Sequence, residues 1–86
     1  MRNIEELAKA VAQDFNKTVD EEGFDSFAEM KKCYMWDSAD IKEEVRYMVN
    51  EMFGGQMFED DEVRANCEEE FITYKAFMAL VRKYLK

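Results

Sequence analysis

Apolar residues recur with helical spacing in four stretches of this chain, and polar breaks separate them. The first stretch places Ile4, Leu7, Ala8, Val11 and Phe15 on one face of a helix reaching about Lys17. Asn3 precedes it and Glu6 follows three residues later, the spacing of an N-cap and its partner. Residues 18–25, TVDEEGFD, read as an acidic loop with Val19 and Phe24 tucked inward. Ser26 and Glu29 form a second capping signature, after which Phe27, Met30 and Tyr34 share a face with Cys33 beside it. Asp37 and Ser38 then interrupt the apolar run and offer an N-cap, with Asp40 in the first turn. Ile41, Val45, Met48, Val49 and Met52 follow as a core-facing stripe, and Gly54 or Gly55 supplies the stop. Residues 26–55 thus predict a pair of helices that provides half of a core.

Beyond the glycines, residues 56–58 read as a short extended or irregular link. The run 59–70, EDDEVRANCEEE, reads either as a short helix capped by Asp60 or Asp61 with Val63 and Cys67 inward, or as the start of one long final helix. Asn66 is the candidate break. The final helix shows Phe71, Tyr74, Phe77, Met78, Val81 and Leu85 on a broad face, with acids at its start and bases at its end, the order the helix dipole favours. The predicted fold class is all-α: residues 1–86 as a compact single-domain bundle of four or five short helices.

Charge changes the picture most. The chain carries 20 acids and 12 bases, a net charge of −8. Residues 75–86 hold four of the bases and no acid, so residues 1–74 set 20 acids against eight bases, a net of −12. Such a surface repels nucleic acid and attracts a basic partner. Two acidic clusters are the candidate partner-binding residues: Asp20, Glu21, Glu22 and Asp25, then Glu59, Asp60, Asp61, Glu62, Glu68, Glu69 and Glu70. Trp36 joins them as a candidate anchor, since Trp and Tyr are common interface residues, and Tyr34, Tyr47 and Phe53 lie at or near the same joints.

Catalytic groups are sparse. With no histidine, the usual base near neutral pH and the Ser-His and Cys-His nucleophile pairs are missing. Two cysteines without histidine do not make a four-ligand zinc site, and no phosphate-cradling glycine motif occurs. An EF-hand register with Gly23 at loop position 6 puts Thr18 where Asp belongs and Asp25 where an apolar residue belongs, so a calcium site is not expected. No catalysis, metal or cofactor is therefore expected. Cys33 and Cys67 read as free buried thiols near apolar helical faces, with a single bridge between them as the alternative. The N-terminal stretch lacks a signal peptide's apolar core, so the expected setting is the reducing cytoplasm without membrane contact.

In size, charge and texture, notably the phrases KKCYMWDSADIKEEVRYMV and EELAKAVAQDFNK, the chain resembles small acidic proteins of bacteriophages and mobile elements, especially anti-CRISPR and other anti-defence inhibitors. That resemblance implies a stoichiometric inhibitor that mimics nucleic acid and occupies the basic groove of a nucleic-acid-processing or defence enzyme. Two other classes stand beside it. One is a structural or regulatory helical module that self-associates, as a homodimer for example, or binds a partner helix. The other is an enzyme using a carboxylate-bound metal.

Overall fold

The computed structural model describes residues 3–57, 61–65 and 71–86. Four α-helices carry most of the chain: α1 (Ile4–Glu21), α2 (Phe27–Cys33), α3 (Ser38–Tyr47) and α4 (Tyr74–Arg82). A π turn, Met48–Met52, continues α3 directly. The fold is not purely helical, however. Strands β1 (Gln56–Met57), β2 (Glu62–Arg64) and β3 (Phe71–Thr73) form an antiparallel sheet in the order β1-β2-β3. Val63 sits at its centre, opposite Met57 on one side and Ile72 on the other.

The helix starts follow from local side chains. Asn3 accepts from the Glu6 amide at 2.8 Å, and Ser26 accepts from the Glu29 amide at 3.1 Å. Glu29 reaches back to the amide of Asp25 and not to that of Ser26, so this capping box is displaced by one residue. Asp37 and Asp40 make a complete reciprocal box, at 2.9 and 3.0 Å. Ser38 is therefore the first helical residue and Asp37 alone is the cap.

Two helices end in the same way. Beyond α1, Gly23 is left-handed (φ 76°), and the amides of Gly23 and Phe24 donate to the carbonyls of Asp20 and Val19. Beyond α2, Met35 takes the left-handed position (φ 59°), and the amides of Met35 and Trp36 donate to those of Lys32 and Lys31. Both are Schellman motifs, and each delivers an aromatic residue, Phe24 or Trp36, back onto the core.

The core joins Leu7, Val11 and Val19 of α1 to Met30, Val45, Val49, Val63, Phe77 and Val81, all essentially without solvent exposure. The stretch 18–21, expected in a loop, belongs to α1. Val19 provides the inward anchor, while Thr18 bonds the Asp14 carbonyl and Lys17 pairs with Glu21. The first positions of the rejected EF-hand register are thus helical. The stripe Ile41, Val45, Met48 and Val49 is buried as expected, but Met52 is 48% exposed. The wide π turn shifts the helical phase by one residue, and Phe53, whose amide bonds the Met48 carbonyl, packs on the core in its place.

The sheet overturns the expected helices after residue 58. Glu62–Arg64 is a strand, with Val63 inward as expected. Phe71 is a strand residue, 51% exposed, with the Arg64 guanidinium 4.7 Å above its ring. Helix α4 starts only at Tyr74, where Thr73 caps it by accepting from the Ala76 amide. Gly55 sets how closely the sheet approaches the helices. A Cβ there would stand 2.8 Å from the Arg64 carbonyl, 2.9 Å from Leu7 and 3.0 Å from Val49.

Helix α1 and the segment after α4 are clasped together. Asn16 donates to the Tyr84 carbonyl at 2.7 Å and accepts from the Lys86 amide at 2.9 Å. The Lys86 ammonium pairs with Asp20 at 2.6 Å, and the Lys86 carbonyl accepts from the Phe27 amide. Among the described residues, no helix is long and apolar enough to cross a membrane.

Candidate partner-binding surface

The predicted site residues fall in two places. Asp20 and Glu21 end α1, Glu22 caps it, and Asp25 lies in the turn before α2. Asp61 and Glu62 lie at the sheet, where the Asp61 carbonyl accepts from the Tyr74 amide at the start of α4. Glu59, Asp60, Glu68, Glu69 and Glu70 lie outside the described residues, as do Asn66 and Cys67. Since Asp20 meets Lys86 beyond the far end of α4, while Asp61 bonds its first residue, these two described acids stand at opposite ends of that helix. Helix α4 between them, nine residues long, spans on the order of 13 Å.

Several of these acids already hold cations. Asp20 pairs with Lys86, Glu21 with Lys17, Asp61 with Lys42 and Glu62 with Arg64. Asp61 is also left-handed (φ 69°), and Lys42 lies 5.2 Å from the centre of the Tyr74 ring, so α3, α4 and the sheet meet there. Burial raises the pKa of Tyr74, with Arg82 pulling it down and Asp61 pushing it up. Glu22 and Asp25, by contrast, are exposed and have no ion-pair partner among the described residues.

Trp36 does converge with the first cluster. Five aromatic rings form a chain in which Phe27 meets Phe15 at 5.0 Å, Phe15 meets Trp36 at 6.3 Å, Trp36 meets Tyr34 at 5.3 Å and Tyr34 meets Phe24 at 5.6 Å. Phe15, between Phe27 and Trp36, is buried, while Tyr34 is 40% exposed and Met35 beside it 86%. Partial burial raises the Tyr34 pKa, and the negative charge of Glu22 raises it further. An apolar knob of Tyr34 and Met35, backed by half-buried Trp36, thus borders the acids that close α1. Periodicity could not reveal Met35 as part of this surface, since its exposure comes from its left-handed backbone.

Cys33, expected to be buried, is exposed, because α2 is a single-faced helix whose only fully buried residue is Met30. Of the other aromatics, Tyr47 is 58% exposed and Phe53 lines a shallow cleft with Ala10 and Gln13. No group of three or more His, Cys, Asp or Glu side chains is placed to hold a metal ion among the described residues.

A separate groove of about 420 Å³ opens between α2, α3 and α4. Phe27, Ile41, Tyr74, Met78 and Leu85 line it, with Lys31, Arg82 and Lys86 as its charged residues. Comparison with known proteins finds no matching family model, no matching curated protein and no matching solved structure.

Proposed function

We propose that this is a non-catalytic binding protein whose working face is the corner between α1, α2 and α3, and whose partner presents a basic surface. One juxtaposition supports the reading: the exposed Tyr34–Met35 knob stands beside Glu22 and Asp25, acids with no ion-pair partner among the described residues. Aromatic residues and Met are enriched in interfaces, and unpaired acids around them favour partners of opposite charge. In its specific form the partner is a nucleic-acid-processing or defence enzyme, and the acids stand where phosphates would bind it. Inhibition is then stoichiometric, the role the sequence resemblance implies. The other reading, self-association or docking of a partner helix, draws on the apolar knob alone and needs no acids.

A pull-down from bacterial lysate with mass spectrometry names the partner, and the affinity for that purified partner is then measured against salt. Glu22→Lys with Asp25→Lys should weaken binding at least about tenfold, an effect of about 1.4 kcal/mol. Positive charge at the end of α1 suits the helix dipole, so the fold is retained. Glu44→Lys with Glu51→Lys, both exposed on α3 and the π turn, is the charge-matched control and should have little effect. Binding that survives both high salt and the reversal at Glu22 and Asp25 would sink the acidic reading. Loss on Met35→Ser alone would then leave the apolar one.

A further inference from the structure

We propose that the groove between α2, α3 and α4 binds a small anionic amphiphile, an alkyl chain of about ten carbons ending in a carboxylate. The observations are independent of the proposed partner face. Ile41 and Met78 are buried and give the groove an apolar floor, while half-buried Phe27, Tyr74 and Leu85 form its walls. Its volume of about 420 Å³ lies within the range of small-molecule sites, roughly 300–1,000 Å³. Along α4 its lining runs from Tyr74 to Arg82, about 12 Å at helical rise, the reach of an extended chain of that length.

Charge complementarity selects the headgroup. In a protein of net charge −8, the charged side chains that line this groove are all cationic: Lys31, Arg82 and Lys86. Lys86 is occupied by Asp20, whereas Lys31 and Arg82 have no ion-pair partner among the described residues. Ser38 lies on the same lining, and its hydroxyl is of a kind that can donate to an anion. The groove's form selects a small molecule over a partner helix. Three elements converge on it and the Phe27–Lys86 backbone bond ties α2 to its far side, making a pit in the fold. A docked helix rides in a trough between long parallel helices, and α2 has only seven residues.

The test is a titration of the intact protein with decanoate below its micelle concentration, followed by amide chemical shifts and calorimetry. Saturable binding is expected, with shifts centred on Ala28, Ile41 and Met78. Decyltrimethylammonium, with the same tail and opposite head, should bind at least about tenfold more weakly. Lys31→Gln with Arg82→Gln should cost decanoate a similar factor and strengthen, not weaken, binding of the ammonium amphiphile. Ala28→Trp should fill the groove and abolish both. Equal binding of the two amphiphiles to the wild-type protein would overturn the proposal, as would unchanged decanoate binding in the double variant. So would an acidic amphipathic peptide that binds the groove when decanoate does not. If Ala28→Trp fails to fold, the head-group comparison on the wild-type protein decides the matter alone.

Discussion

The carboxamide of Asn50 holds both polar groups of the Met57 backbone, accepting from its amide at 2.8 Å and donating to its carbonyl at 3.3 Å. Met57 therefore has β2 on one flank and a side chain acting as a further strand on the other. A two-residue edge strand would otherwise expose an unpaired amide and carbonyl. Asn50→Ala should lower stability by about 1–2 kcal/mol, because it removes two hydrogen bonds to a part-buried backbone. Urea denaturation measures this, and a loss below about 0.5 kcal/mol would show that water replaces the clamp.

Gly55 and Gly23 should respond differently to the same change. Gly55→Ala forces a methyl against the Arg64 carbonyl and Leu7, and overpacking of this kind costs about 1–3 kcal/mol. A Cβ at Gly23 meets nothing within 4 Å, so Gly23→Ala carries only the left-handed penalty of about 1–2 kcal/mol. Thermal melts of the pair check the mechanism: the Gly55 variant should also perturb the amide signals of Arg64 and Leu7, and the Gly23 variant should not.

Met35→Gly should stabilise the fold by about 0.5–1 kcal/mol. It relieves a left-handed penalty of about 1–2 kcal/mol and gives back part of that through the freer unfolded chain. The side chain it removes is almost fully solvated, so little packing is lost. If the Tyr34–Met35 knob contacts the partner, the more stable variant should bind more weakly, and calorimetry with the partner reads both effects.

The cap of α3 rests on Asp37. Asp37→Ala should cost about 1–2 kcal/mol and Ser38→Ala less than about 0.5 kcal/mol, as denaturant midpoints will show.

Tyr84 gives the stability a dependence on alkaline pH. Its hydroxyl donates to Glu5 at 2.6 Å, and this bond raises the pKa above the ordinary 10.0, with partial burial adding to it. The folded state therefore holds this proton more tightly than the unfolded state does. The contribution is complete below about pH 10 and is lost as pH rises through the raised folded value. Tyr34 and Tyr74 shift in the same direction. Urea midpoints at pH 8 and pH 10.5 should show the fall, and Tyr84→Phe should make it shallower.

What the sequence revealed was local. Asn3, Ser26 and Asp37 cap through partners three residues away, so a linear reading finds them. The α3 stripe was legible through Val49 and failed at Met52, where the π turn changes the period without any distinctive residue. The strands escaped because two or three residues are too few for alternation to register, and Phe71 fits either a helical face or a strand. Thr73 marks the true start of α4, yet it lies between Phe71 and Tyr74, which fit one helical face. The partner face was half visible. Trp36 and the acids of residues 20–25 could be named, but their meeting through Phe24 and Tyr34 depends on two helix ends folding back on α1.

The clasp between Asn16 and the segment after α4 has a kinetic consequence. Its hydrogen bonds join residues 68 and 70 positions apart, so the principal helix pairing closes a loop spanning most of the chain. By the logarithmic rule, closing such a loop costs roughly 4 kcal/mol of chain entropy before native contacts repay it. Helical content alone would place this protein among the fastest folders, but its slowest step is this encounter of distant segments. Joining residue 86 to residue 3 through a linker of about eight residues, enough to span the roughly 20 Å of α1 between Asn3 and Asn16, and opening the chain at the turn between Asp25 and Ser26 converts that encounter into a neighbourly one. The rearranged chain should fold faster than the original.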